Sequence, residues 1–124
     1  MLVYIEKALK INLKLFGEEN PNVSIQFSIL GLIWKDKGDL NKAIDYLEKA
    51  MKIDLKLFGE ENPKVANRYN NLGNALYSKG DLVNAIELCE KSYSIFLKLY
   101  GADNPTTKTV KANLDLYKKE LQSK

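Results

Sequence analysis

The chain has 124 residues, a formal net charge of +3, and 45% hydrophobic and 28% charged residues, the size and balance of one ordinary domain. It contains no His and one Cys, which excludes Ser-His-Asp and Cys-His catalysis, His-ligated zinc and an internal disulfide. Of its 19 basic residues only Arg68 is an arginine, the side chain that dominates bidentate phosphate and base-edge recognition, so no nucleic-acid partner is expected.

The opening run Met1-Leu2-Val3-Tyr4-Ile5 is apolar, but Glu6 and Lys7 interrupt it before it reaches the length of a signal-peptide core. No stretch approaches the roughly eighteen apolar residues of a membrane span. A soluble, cytoplasmic protein with no membrane partner is expected.

Self-similarity organises everything else. Gly17, Gly59 and Gly101 stand 42 residues apart, as do Asn20-Pro21, Asn62-Pro63 and Asn104-Pro105. Leu13 to Pro21 recurs unchanged as Leu55 to Pro63, Leu30-Gly31 as Leu72-Gly73, and Gly38-Asp39-Leu40 as Gly80-Asp81-Leu82. Each period predicts two helices and no strand. The leading helix starts at Asn-Pro, where Asn caps and Pro fills the first position without forfeiting a hydrogen bond. It stops at Gly38 or Gly80. Asp39 or Asp81 then caps the trailing helix, whose apolar stripe Leu40, Ala43, Ile44, Leu47 and Ala50 has helical spacing. A C-terminal glycine ends it.

Six helices are thus predicted in chain order: α1 (about 1–16, trailing), α2 (21–37, leading), α3 (40–58, trailing), α4 (63–79, leading), α5 (82–100, trailing) and α6 (105–122, leading). The organisation is a half repeat over 1–20, full repeats over 21–62 and 63–104, and a terminal helix over 105–124. Gly31, Gly73 and the alanines Ala43, Ala50 and Ala85 allow leading and trailing helices to approach closely, with Phe27, Trp34, Tyr69 and Leu76 filling the space between. Cys89 replaces Leu47 and reads as a core residue. In α6 the row equivalent to Phe27, Gly31 and Trp34 becomes Lys111, Asp115 and Lys118. That row is expected in solvent, with Val110, Leu114, Tyr117 and Leu121 packed on α5 and α6 closing the array as a capping helix. At the other end Met1, Ile5 and Ala8 take the places of Ala43, Leu47 and Ala50 with no leading helix to meet, so the chain is expected to be the C-terminal part of a longer array or, alternatively, to expose this row as a dimer face.

The run Arg68 to Leu82, followed by Ala85-Ile86, resembles the tetratricopeptide repeat (TPR). The 42-residue period, with its Leu-Phe-Gly-Glu-Glu-Asn-Pro joint, is similar to the kinesin light chain subtype. The resemblance implies an all-α TPR solenoid, a right-handed superhelix of antiparallel helix pairs, whose leading helices line a groove that binds a peptide or protein segment without catalysis, cofactor or metal. It places Asn67, Asn70, Asn74 and Tyr77 of α4 in that groove, with Ser28, Leu32 and Lys35 from α2 and Leu116 and Lys119 from α6. Asn67, Asn70 and Asn74 share one helix face, and an amide that both donates and accepts can hold the backbone of an extended peptide. Ser28 and Leu32 stand where the carboxylate clamp of chaperone-tail TPR domains carries Lys and Asn, so that clamp is not expected. The acidic cargo implied by the kinesin light chain resemblance would find only Lys35 and Lys119. The alternative function is self-association through Met1, Ile5 and Ala8 as a homodimer.

Overall fold

The computed structural model describes residues 2–124. The helices are α1 Leu2–Phe16, α2 Pro21–Asp36, α3 Leu40–Phe58, α4 Pro63–Lys79, α5 Leu82–Tyr100 and α6 Pro105–Gln122. Among the described residues the fold is all-α. The helix ends follow from local chemistry. Asn20, Asn62 and Asn104 have extended backbones, and each side-chain oxygen accepts the N–H two residues on at 2.8 Å. Asp39 and Asp81 cap α3 and α5 by accepting from the N–H groups of Lys42 and Asn84. Gly38 and Gly80 turn the chain between helices at φ +90° and +95°, the left-handed region that a side chain disfavours.

The chain divides into two compact units at Gly59 and Glu60. In the first, α2 and α3 run antiparallel. The Ser24 hydroxyl donates to the Ala50 carbonyl at 3.2 Å, Phe27 stacks with Tyr46 at 6.0 Å between centroids, and Gly31 lies against Ala43 and Leu47. Leu9 of α1 joins Val23, Phe27, Leu30 and Ala50 in the core, and Leu2, Ile5, Leu13, Tyr46 and Ile53 pack around it.

In the second unit, α4 and α5 repeat the arrangement, with Gly73 against Ala85 and Cys89. Helix α6 then lies antiparallel to α5. The Cys89 thiol contacts the Val110 carbonyl at 3.5 Å, and the Thr107 hydroxyl donates to the Phe96 carbonyl at 3.3 Å. Ala66, Ala85, Cys89, Phe96, Val110, Leu114 and Tyr117 form this core. As expected, Lys111, Asp115 and Lys118 are exposed. Lys111 pairs with Asp115 at 2.6 Å and Lys118 with Glu90 at 3.6 Å. Leu121, expected in the packed stripe, is 41% exposed, because it falls in the last turn of α6. Among the described residues no helix is long and apolar enough to cross a membrane.

Candidate functional site

The leading-helix face of the second unit is built by α4 and α6. Its side chains bridge in a regular way. The Tyr117 hydroxyl donates to Asn74 Oδ1, and the Tyr77 hydroxyl donates to Glu120 Oε1 at 2.5 Å. The two tyrosine rings stack at 4.4 Å between centroids, 20° from parallel. The hydrogen bond to Glu120, with a smaller share from burial, raises the Tyr77 pKa. Burial raises that of Tyr117. Both phenols therefore stay protonated as donors at neutral pH.

This network divides the predicted groove residues into two kinds. Asn74 and Tyr77 are half-buried, and the Asn74 Oδ1 and the Tyr77 hydroxyl are both bonded to α6. Asn67 is exposed. Asn70 is half-buried, and its Oδ1 is enclosed with no hydrogen-bond partner among the described residues. On α6, Leu116 is 44% exposed and Lys119 is exposed. Neither Tyr117 nor its bond to Asn74 belongs to the predicted groove. The sequence places Tyr117 in the core stripe, and nothing in it signals a hydroxyl reaching a neighbouring leading helix.

In the first unit the outcome differs. Leu32 is 40% exposed and Lys35 half-buried, but Ser28 is 4% exposed and belongs to the interior. Of the three α2 residues expected in the groove, Ser28 is thus the enclosed one. The free face of α2 instead carries Ile25, Ile29 and Leu32, each 37–45% exposed and spaced i, i+4, i+7 on one helix face. Of the predicted dimer row, Met1 lies outside the described residues. Ile5 packs against the Leu9–Phe27 cluster and Ala8 is half-buried, so that row is not bare. The uncovered apolar side chains of α1 are Val3, Tyr4, Ile11, Leu15 and Phe16.

Cys89 is 1% exposed, and burial pushes its thiol up to about 11, consistent with a core residue rather than a nucleophile. Trp34 is half-buried beneath the Lys42 ammonium, 4.1 Å from the ring centroid. Among the described residues no three metal-ligating His, Cys, Asp or Glu side chains come together.

Capped antiparallel helix pairs recurring at 42 residues, with small residues at each leading–trailing contact, define a helical-repeat scaffold. The chain belongs to the tetratricopeptide-repeat family, whose patterns match residues 27–82 and 65–106. Among solved structures it is similar to BtubC (BKLC) from P. vanneervenii, with 30% identity and a TM-score of 0.88 over 95% of this chain and 47% of that one. It is also similar to the kinesin light chain TPR-like repeats of Podosopora anserina, with 22% identity and a TM-score of 0.87 over 94% of this chain and 55% of that one. The chain thus spans about half the length of these relatives. No curated protein matches it. Domains of this fold generally mediate protein–protein interaction.

Proposed function

We propose that the chain is a non-catalytic protein-binding module and that the α4–α6 face of the second unit takes an extended segment of a partner protein. The observation that carries this reading is Asn70. A buried acceptor without a donor costs about 1–3 kcal/mol, and rotation of this half-buried side chain would bring its amide to an incoming peptide. Asn67, three residues earlier on the same face, is exposed and has both donor and acceptor capacity. Leu116 adds an apolar contact and Lys119 a positive charge.

The test uses a peptide selected for binding to the full chain, with affinity measured by calorimetry. Asn67→Ala with Asn70→Ala should weaken it at least about tenfold, or 1.4 kcal/mol, while the urea midpoint stays level or rises. A folded double variant that binds like the parent would remove α4 as the site.

A second reading, self-association, is favoured by the uncovered apolar side chains of α1. Tyr4, Ile11 and Leu15 share one helix face and are 76%, 58% and 67% exposed. Light scattering of the parent and of Ile11→Glu decides it. A dimer that becomes monomeric supports this interface, and a parent that is already monomeric, or a dimer unchanged by the substitution, eliminates it.

A further inference from the structure

The first unit holds a cavity of about 500 Å³ on the side where α1, α2 and α3 meet. It is lined by Leu9, Leu13, Phe27, Tyr46 and Ile53, with Glu18, Lys49 and Lys52 around it. Its walls are firm: Leu9 is 8% and Phe27 7% exposed, and Phe27 stacks with Tyr46. The volume lies within the range of small-molecule sites, which are mostly apolar with a few polar groups at defined places. The three charged side chains are exposed and carry two positive charges against one negative. Lys49 Nζ stands 5.7 Å from both ring centroids. Its pairing with Asp45, at 3.5 Å, is solvent-exposed and therefore weak. Lys52 has no carboxylate partner among the described residues.

The repeat supplies its own comparison. Forty-two residues on, the second unit opens a cavity of about 360 Å³ at the same register, where Tyr69 answers Phe27, Lys91 answers Lys49 and Ile95 answers Ile53. There, however, Ser94 stands in place of Lys52, while Glu60, Glu61 and Glu90 repeat Glu18, Glu19 and Glu48 of the first unit. The charge difference between the two cavities is thus one lysine, Lys52, since the glutamates recur and Glu61 and Glu90 pair with Lys98 and Lys118.

We infer that the first-unit cavity binds an anionic aliphatic amphiphile, a monomeric alkyl carboxylate whose chain lies among Leu9, Leu13, Phe27, Tyr46 and Ile53 and whose head group meets Lys52 and Lys49. The chain supplies the hydrophobic contribution, about fourfold in affinity per buried methylene. The lysines supply the preference for an anion. The second-unit cavity has Ser94 at the register of Lys52 and should hold the same head group less tightly. This site is separate from the α4–α6 face proposed for a partner protein, and neither reading depends on the other.

The experiment is a backbone amide NMR titration of the full chain with hexanoate, octanoate, decanoate and decanol, all kept below their aggregation concentrations. Saturable shifts are expected at Leu9, Leu13, Phe27, Tyr46 and Ile53. Affinity should rise roughly fifteenfold for each two added carbons, and decanoate should bind more tightly than decanol. Lys52→Glu, an exposed substitution on α3, should weaken decanoate at least tenfold and change decanol less than twofold. Lys52→Ser, which copies the second unit, should fall between. The inference is overturned by shifts centred on Tyr69 and Ile95, by equal affinities for decanoate and decanol, by a Lys52→Glu variant that keeps the parent's decanoate affinity, or by the lack of saturable binding.

Discussion

Replacing Gly31 by Ala should destabilise the first unit, whereas replacing Gly73 by Ala should leave the second nearly unchanged. Both glycines sit inside leading helices, where Ala is favoured by about 1 kcal/mol. Space opposes that gain unequally. A Cβ on Gly31 would lie 2.6 Å from Leu47 Cγ, 2.7 Å from its Cδ2 and 3.2 Å from the Ala43 carbonyl oxygen. Leu47 is 1% exposed, and the atom struck is its branch carbon, so the whole side chain must move within a closed core. Overpacking of this kind costs about 1–3 kcal/mol, and with the branch carbon struck at 2.6 Å the upper end applies, leaving a net loss of about 2 kcal/mol. At Gly73 the nearest atom is the Ala85 carbonyl oxygen at 3.3 Å, and the others are at 3.7 Å. Cys89 occupies the register of Leu47 and is smaller, so propensity and crowding roughly cancel. The cause can be isolated by a cycle. Leu47→Cys alone leaves a void and should cost about 2 kcal/mol. Combined with Gly31→Ala, it should recover about 1–2 kcal/mol relative to the sum of the single changes. Urea unfolding followed by fluorescence of Trp34, the only tryptophan, reads the first unit. Circular dichroism reads Gly73→Ala. A Gly31→Ala protein as stable as the parent, or strict additivity with Leu47→Cys, would refute the argument.

Alkaline pH should weaken the second unit. Cys89, Tyr69, Tyr77 and Tyr117 all have raised pKa values there, the Cys89 thiol from 9.0 to about 11. The native state holds these protons more tightly, so the stability they contribute is whole below pH 9 and is lost as pH rises through the folded values. Cys89→Ala should delay the onset of this loss to about pH 10, the ordinary phenol value, in denaturant midpoints measured from pH 8 to 11. Asn74→Ala should cost about 1–2 kcal/mol by stranding the buried Tyr117 hydroxyl, in contrast to Asn70→Ala, which removes an unpaired acceptor and should be neutral or stabilising in thermal melts. Asn104→Ala removes the cap on α6 and should cost about 1 kcal/mol, read as a lower urea midpoint by circular dichroism.

The helix ends are legible in the sequence because local chemistry sets them. Asn-Pro, Asp and Gly each satisfy or terminate backbone hydrogen bonds within a few residues, and the only displaced end is Lys37, which serves as the C-terminal cap of α2 rather than its last residue. The pairing of leading and trailing helices is legible too, through Gly31, Gly73 and the alanines. What the sequence does not disclose is depth and partner choice. Ser28 and Asn70 share a register, yet Ser28 is interior and Asn70 half-buried, since depth depends on neighbours that a helical period does not identify. Ile5 reads as uncovered when only its match to Leu47 is considered. It shares a face with Leu2, Leu9 and Leu13, however, and that face turns toward the core. The pairing of Asn74 with Tyr117 and Tyr77 with Glu120 joins residues 43 apart rather than 42, a one-residue slip between α4 and α6 that the repeat period hides.

The two copies of the repeat differ where backbone geometry makes no demand. The joint from Leu13 to Pro21 is identical in both, as are the glycines and the capping asparagines and aspartates, because each is required by a turn, a cap or a close approach. The registers that face outward or line the cavities change: Ile25, Leu32 and Lys52 in the first copy become Asn67, Asn74 and Ser94 in the second. A change from apolar to amide on a leading helix leaves the fold intact and alters what that helix can bind. The loss of a lysine at the cavity edge acts in the same way on the preferred charge of a ligand. The first unit therefore offers an apolar strip on α2 and a cavity edged by Lys49 and Lys52, and the second an amide face and a cavity that keeps only the Lys49 equivalent, Lys91. Each surface can be tested by exchanging the register-equivalent residue from the other copy, a substitution the same helix geometry already accommodates.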